Sequence, residues 1–149
     1  IGWMQFVDDG TNDISGTMRW LKPNIPTSKL YKPGFEVNSD AVGSHYAVPT
    51  GTASMLQITD GIVLFTGGNL PDSSNNVTFG PSSQLVNHGT NTLKLTFKAA
   101  TGVFSGTFKE TGTPTTFVLK GAVLQRQNTG SGYAPGTNQS GHLLFEAAP

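Results

Sequence analysis

The fold is decided by LKLTFK (residues 93–98), FSGTF (residues 104–108) and TTFVLKGAVLQ (residues 115–125). Apolar and polar side chains alternate in the first segment, which is typical of a strand with one buried face. Residues 99–102 and 110–114 separate the segments and contain the Gly and Pro residues that favour turns. Three sequential strands joined by short turns predict an antiparallel meander.

Similar signals run through the rest of the chain, in which 19 Gly and 9 Pro residues interrupt every apolar run. Residues 2–7 and 14–21 predict a hairpin, and residues 55–58 and 62–65 predict a second one around Asp60-Gly61. Residues 76–79 and 142–146 predict two further strands, and no segment shows a helical period. The sequence therefore predicts an all-β fold, an antiparallel β-sandwich or closed β-barrel of about eight to ten short strands.

Two segments show no strand pattern and are predicted to be long surface loops. Residues 22–49 contain four prolines, which disfavour strand pairing. Residues 127–141 are rich in Asn, Gly, Ser, Thr and Gln. Long loops on a compact β-scaffold are either functional or simply inserted.

A six-residue pattern occurs twice, as ISGTMR (residues 14–19) and FSGTFK (residues 104–109). Both copies read apolar, Ser, Gly, Thr, apolar, basic. Two equivalent strands of a pseudo-symmetric β-fold would explain the pattern, and chance similarity in a Gly- and Thr-rich chain is the alternative.

The charge composition argues against several partners. The chain of 149 residues has 9 Lys plus Arg and 9 Asp plus Glu, and 12% of its residues are charged. A neutral chain offers no electrostatic reason to bind nucleic acid or an anionic membrane. Its apolar runs are too short to insert into a bilayer. Cysteine is absent, which excludes disulfides and thiolate chemistry.

No catalytic site is predicted. His45, His88 and His142 are spread along the chain without metal-ligand spacing, and most of the nine carboxylates lie at predicted turns. No cofactor is predicted either, except that calcium remains a weak hypothesis for one acidic loop. Oxygen ligands clustered in a loop can bind Ca²⁺, although the same residue types are common in ordinary β-turns. The candidate calcium ligands are Asp8, Asp9 and Asp13.

Aromatic side chains with polar neighbours provide the candidate binding residues. A neutral, hydroxyl-rich ligand is held by stacking on flat rings and by hydrogen bonds to amides and hydroxyls. Each ring has a structural alternative, because a tryptophan can lie in the core and a loop tyrosine can pack its loop onto the scaffold. The predicted ligand-binding residues are Trp20, Tyr31, Tyr46, Tyr133, Asn138 and Gln139.

Several segments together resemble a known type of module. They are residues 101–106, 117–125, 132–133 and 136–141, with residues 20–23, 31–35 and 42–46 fitting the same pattern. The chain is similar to a β-rich module that recurs at the ends of large exported proteins of environmental bacteria. The resemblance implies a bacterial protein that is secreted or on the cell surface, with other extracellular domains in the parent chain. It carries no established activity and no catalytic residues.

The resemblance leaves the domain organisation open. Residues 1–149 form either a single β-domain or the C-terminal part of a larger β-rich unit. The predicted function is non-catalytic binding of a neutral polysaccharide, of the plant cell-wall glucan or xylan type. The alternative is a structural or adhesion module that contacts other proteins or the cell surface, and the third possibility is a glycoside hydrolase or metal-dependent enzyme.

Overall fold

The computed structural model describes residues 1–69 and 72–149, whose regular structure is β-strand apart from one 3-10 turn at Pro81–Ser83. The all-β prediction is confirmed. In these residues no helix is long and apolar enough to cross a membrane. The strands are β1 (Gly2–Phe6), β2 (Ile14–Lys22), β3 (Phe35–Gly43), β4 (Asp60–Gly67), β5 (Ser73–Phe79), β6 (Leu85–Asn87), β7 (Thr92–Lys98), β8 (Val103–Lys109), β9 (Phe117–Leu124), β10 (Thr129–Pro135) and β11 (Ser140–Ala147).

Eight strands form one antiparallel sheet that is nearly closed into a barrel. Their order is β6-β5-β4-β11-β10-β9-β8-β7, and the edge strands β6 and β7 contact each other. The meander predicted from residues 93–125 corresponds to β7, β8 and β9 and is confirmed. Because the edges meet, few strand-edge groups of the barrel remain open to pairing with another chain.

Phenylalanine rings fill the inside of the barrel. Phe65 and Phe108 stack with their ring centroids 4.1 Å apart. The ring centroid of Phe79 lies 5.1 Å from that of Phe97 and 5.2 Å from that of Phe145. Aromatic pairs at these separations stabilise a core beyond the area that they bury. The walls of the barrel are therefore held together by rings from β4, β5, β7, β8 and β11.

The prediction that residues 127–141 form a long loop is wrong, because they contain β10 and the start of β11. Two inward positions of β10 are Gly130 and Gly132, which lie against the ring of Phe104. A Cβ on Gly132 would lie 3.1 Å from Phe104 Cζ, and one on Gly130 would lie 3.3 Å from Phe104 Cε1. With so little apolar side chain on its inner face, β10 shows no alternation in the sequence.

The prediction of a strand at residues 55–58 is also wrong. These residues form no strand, yet Met55, Leu56 and Ile58 are buried in the core. β4 pairs instead with β11 and with β5, and β5 extends the strand predicted at residues 76–79. A short apolar run is compatible with a buried loop as well as with a buried strand, so periodicity cannot separate the two.

The remaining three strands form a separate antiparallel sheet of order β1-β2-β3. The hairpin predicted from residues 2–7 and 14–21 is confirmed as β1 and β2. Residues 22–49 are not all surface loop, because β3 pairs with β2 from Ile14↔Gly43 to Lys22↔Phe35. Every residue of β1 is exposed, so this sheet has no packed layer over that strand.

Two groups of contacts fasten the three-stranded sheet to the barrel. At one end of β10, Arg126 reaches the turn between β1 and β2, and Gln127 Nε2 donates to Asn12 Oδ1 at 2.8 Å. At the other end, the Tyr31 hydroxyl and Ser140 Oγ are hydrogen-bonded at 2.8 Å. The sheet is thus held through its turns and loops, and mainly by polar groups.

Two neighbouring residues of β9 allow a test of which side chains face the inside of the barrel. Leu119 is 0% exposed and Val118 is 54% exposed. We expect Leu119→Ala to lower the free energy of unfolding by about 2–5 kcal/mol, because it leaves a cavity among the rings. The control Val118→Ala should change it by less than about 0.5 kcal/mol. Urea unfolding followed by circular dichroism measures both, and equal effects would contradict the assigned faces.

Candidate functional site

Tyr133 points outward from β10 into a groove on the outer face of the barrel. Its side chain is 47% exposed. It stands directly opposite Lys120 on β9 and His142 on β11. Directly opposed residues project from the same face with their Cβ atoms about 5 Å apart. The phenol ring is therefore flanked by an ammonium group on one strand and an imidazole on the other.

The groove crosses β7 to β10 and has a volume of about 940 Å³. Such a volume lies within the range of ligand sites in proteins. In the row that contains Tyr133, Ser105 pairs with both Thr96 and Lys120. Hydroxyl groups and one cation thus extend from the tyrosine across three further strands. The residues lining the groove are Thr96, Phe97, Lys98, Val103, Phe104, Ser105, Lys120, Gly121, Ala122, Ser131, Gly132 and Tyr133.

Most of the groove surface is apolar, and its charged lining residues are lysines without any carboxylate. Lys98 and Lys120 are among its lining residues, and Asp and Glu are absent from them. Neither lysine forms an ion pair with any residue in the described part of the chain. Their ammonium groups can therefore donate hydrogen bonds to a bound ligand without first leaving a protein partner.

A serine and a histidine lie side by side next to Tyr133. Ser131 Oγ and His142 Nε2 are 3.2 Å apart. A serine nucleophile needs such a base, and the base needs a third group that orients the ring. Within residues 1–69 and 72–149, the His142 ring makes no hydrogen bond to a carboxylate. The pair on its own resembles a surface hydrogen bond more than a catalytic triad.

Trp20 and Tyr31 lie together on a second surface, away from Tyr133. Trp20 is 62% exposed, and so it is not a core residue. Its ring meets the edge of Phe35 at a centroid distance of 5.7 Å, and Tyr31 meets the same ring at 5.1 Å. The Tyr31 hydroxyl also accepts a hydrogen bond from the Ser140 backbone N–H at 2.9 Å. The three rings border a groove of about 540 Å³ between the small sheet and the barrel, but their edge-to-face packing gives no flat row.

Tyr46 packs against the barrel. Its ring lies over Gly102, where an added Cβ would come within 2.6 Å of the ring atoms Cδ2 and Cε2. Its hydroxyl donates to the Ala99 carbonyl oxygen, and burial raises the pKa of the Tyr46 hydroxyl. This tyrosine fastens its loop to the core, so the face turned towards the barrel is not available for stacking.

Asn138 and Gln139 form the turn between β10 and β11. The Asn138 carbonyl accepts a hydrogen bond from the Tyr31 backbone N–H at 2.7 Å, and the Gln139 carbonyl accepts one from the Gly136 N–H at 2.8 Å. Their side chains are exposed and lie beyond the end of β10, near Tyr31. The structure therefore places the predicted ligand-binding residues at three separate locations.

The candidate calcium ligands are engaged by protein donors. Arg126 Nη2 lies 2.6 Å from Asp8 Oδ1, and its Nε donates to Asp13 Oδ1 at 3.0 Å. Asp9 Oδ1 accepts from the Thr11 backbone N–H at 2.9 Å and caps the turn. In the described residues no group of three or more His, Asp or Glu side chains is arranged to hold a metal ion. A calcium ion at this loop would have to displace the Arg126 guanidinium, so calcium stays a prediction that metal titration can test.

Lys98, Lys120, Thr96 and Ser105 were not among the sequence-based candidates. The sequence does not single them out as binding residues, because most outward-facing positions of a β-strand carry polar residues. Thr96, Ser105 and Lys120 belong together because they are paired across β7, β8 and β9. Their row continues to Tyr133 only through the pairing of β9 with β10, and the sequence does not predict β10 as a strand. The pairing of Lys120 with Tyr133 is the observation that sequence reasoning lacked.

No protein-family model, curated protein or solved structure matches this chain.

The acidic loop predicts a pH dependence of stability. Hydrogen bonds from Arg126, and then from the His45 backbone N–H, lower the pKa of Asp13. Hydrogen bonds from Thr11 and Asn12 lower the pKa of Asp9 to about 2. A carboxylate whose pKa is lower in the folded state stabilises it above the unfolded-state pKa near 3.9, and this contribution is lost as the pH falls towards the folded-state value.

We therefore expect the melting temperature to fall between about pH 4 and pH 2, and to fall less steeply in Asp13→Asn. Asp40→Asn is the control, because among the described residues Asp40 accepts a side-chain hydrogen bond only at its backbone carbonyl, from Ser39 Oγ. Differential scanning fluorimetry across this pH range measures the slopes. An unchanged slope in Asp13→Asn would show that the contact with Arg126 contributes nothing to folding.

Proposed function

We propose that this chain is a non-catalytic module that binds a polysaccharide in the groove beside Tyr133. The observation that carries the proposal is the exposed Tyr133 ring, flanked by Lys120 and followed by a row of hydroxyl groups. A tyrosine ring stacks on the apolar face of a sugar, and hydroxyl and ammonium groups bond to its hydroxyls. The groove crosses four strands, which suits an extended, chain-like ligand.

The class of polysaccharide follows from the same residues. Neutral glucans and xylans are the first candidates, because four hydroxyl-bearing residues line the groove: Thr96, Ser105, Ser131 and Tyr133. Lysines donate hydrogen bonds to neutral sugars and also attract carboxylates. An acidic polymer therefore belongs in the binding panel beside the neutral ones. We place the protein outside the cell or on its surface, where such polymers occur.

The rigid position of Tyr133 supports a binding role. Its strand, β10, is paired on both sides along most of its length, and the inward neighbours of Tyr133 lie against the core. A side chain on a paired central strand needs little ordering when a ligand binds, so less affinity is lost to conformational entropy.

The test is affinity electrophoresis in gels that contain soluble β-glucan, xylan or polygalacturonate, with pull-downs on insoluble cellulose. We expect retardation by at least one neutral polymer and a loss of affinity of about tenfold or more in Tyr133→Ala, because stacking is removed. Lys120→Gln should weaken binding less for a neutral polymer than for polygalacturonate.

The matched control is Trp3→Ala, which removes an exposed ring from the other sheet. It should bind like the unmodified protein, and Trp20→Ala tests the second groove. Loss of binding in Trp20→Ala with Tyr133→Ala unaffected would move the site to the groove beside Phe35. Absence of binding to every polymer would overturn the proposal.

A structural or adhesion role is the second candidate, and one observation favours it. One face of the three-stranded sheet exposes large apolar side chains of β1 and β2, including Met4, Phe6 and Trp20. Contiguous apolar surface of this kind marks sites of contact with other proteins.

A further inference from the structure

The six-residue pattern that occurs twice in the sequence marks the central strands of two corresponding three-stranded units. Gly16 of β2 pairs with Met4 of β1, and Gly106 of β8 pairs with Leu95 of β7. The cross-strand sets of residues two positions before and two positions after these glycines also correspond between the two units. The row Phe6–Ile14–Gly43 matches Phe97–Phe104–Gly121, and the row Gly2–Met18–Ser39 matches Leu93–Phe108–Phe117.

In the barrel this face is covered by the opposite wall of the same sheet. Phe104 and Phe108 are 3% and 0% exposed. Phe108 stacks on Phe65 of β4, and Phe97 packs against Phe145 of β11. The pattern in β7, β8 and β9 is therefore that of a barrel wall, which needs an opposing sheet to bury its apolar face.

In the three-stranded sheet the corresponding face is open. Phe6, which matches Phe97, is 91% exposed, and Met18, which matches Phe108, is 37% exposed. Trp20 and Val37 extend the same face, since they are opposed on β2 and β3. The opposite face of the sheet carries Arg19, Glu36 and Asp40, interspersed with the exposed apolar side chains of Trp3, Leu21 and Val42.

We propose that a second copy of this chain covers the apolar face of β1, β2 and β3, so that the two sheets pack face to face. The apolar side chains on this face present roughly 600 Å² per copy, at the upper limit of the largest patch on typical monomers. Two such faces together bury about 1,200 Å², the lower end of the range for specific interfaces.

The chemistry of the face suits a two-fold interface. Lys22, at the end of β2, is its one charged residue among the paired strand positions. The chain carries no net charge, so long-range repulsion between copies is absent. In a two-fold dimer the same patch is used by both subunits, and an apolar sheet is complementary to itself. The arrangement reproduces between copies the sheet-on-sheet packing that β7, β8 and β9 have within one copy.

The proposed dimer does not depend on the proposed function. If the groove beside Tyr133 binds a polymer, however, the dimer changes the strength of that binding. Two grooves in one particle would bind a polymer with repeated sites more tightly than one groove does, provided that both can be engaged at once.

Light scattering coupled to size-exclusion chromatography, and sedimentation velocity from about 1 to 100 µM, measure the association. We expect a particle of twice the chain mass of 15.7 kDa. Phe6→Asp should raise the dimer dissociation constant by at least about tenfold, because it places a carboxylate in the interface. The control Gln5→Asp introduces the same charge one position earlier on β1, on the opposite face, and should leave the constant unchanged.

Phe6 is exposed in the single copy, so its replacement does not remove a core contact, and circular dichroism of both variants checks that the sheet persists. A monomer throughout this concentration range would overturn the proposal and leave the face to a β-layer from another polypeptide. Dimers that Phe6→Asp and Gln5→Asp weaken equally, or that neither weakens, would overturn it as well.

Discussion

The ring of Phe104 lies where two neighbouring strands carry glycine. A Cβ on Gly121 would lie 2.2 Å from Phe104 Cζ, and one on Gly132 would lie 3.1 Å from the same atom. The observed register places both glycines under the ring and avoids the overlap at Gly121 and the tight contact at Gly132, so the ring favours this pairing of β8 with β9 and of β9 with β10. The groove depends on the same register, since Lys120 and Tyr133 are the outward neighbours of those glycines. A shift of one residue would turn both side chains into the barrel.

The sequence predicts those parts of the fold in which the inner face carries large apolar side chains. β7 has Leu93, Leu95 and Phe97 at alternate positions, so its strand and the meander around it are evident. β10 fails the same criterion because glycine occupies two of its inner positions, and the sequence therefore predicts a loop around Tyr133. β3 lacks the signal for another reason: its residues pair with β2 without being packed beneath a second layer. Pairing without burial leaves little trace in hydrophobic periodicity.

The candidate site is harder to predict than the fold because it is a property of several strands at once. Tyr133 can be recognised as an amphipathic ring from the sequence, but its neighbours Lys120 and His142 are 13 and 9 residues away in the chain. Neither spacing belongs to a known motif. The groove exists because antiparallel pairing aligns side chains from four strands, and register of this kind is set by core contacts such as that of Phe104 with Gly121. Contacts in the core therefore determine which side chains lie next to one another on the outer face of the barrel.

The two sheets differ in what holds them in place. The barrel is held by buried rings, whose contribution is almost insensitive to salt and pH. The small sheet is attached through the Arg126 cluster and the Tyr31 hydroxyl, and exposed ion pairs such as that of Arg126 with Asp8 are weakened by screening. We therefore expect acid or high salt to loosen the attachment of the small sheet before it disturbs the wall that carries Tyr133. The groove beside Tyr133 and the apolar face of the small sheet depend on different classes of interaction in different parts of the chain.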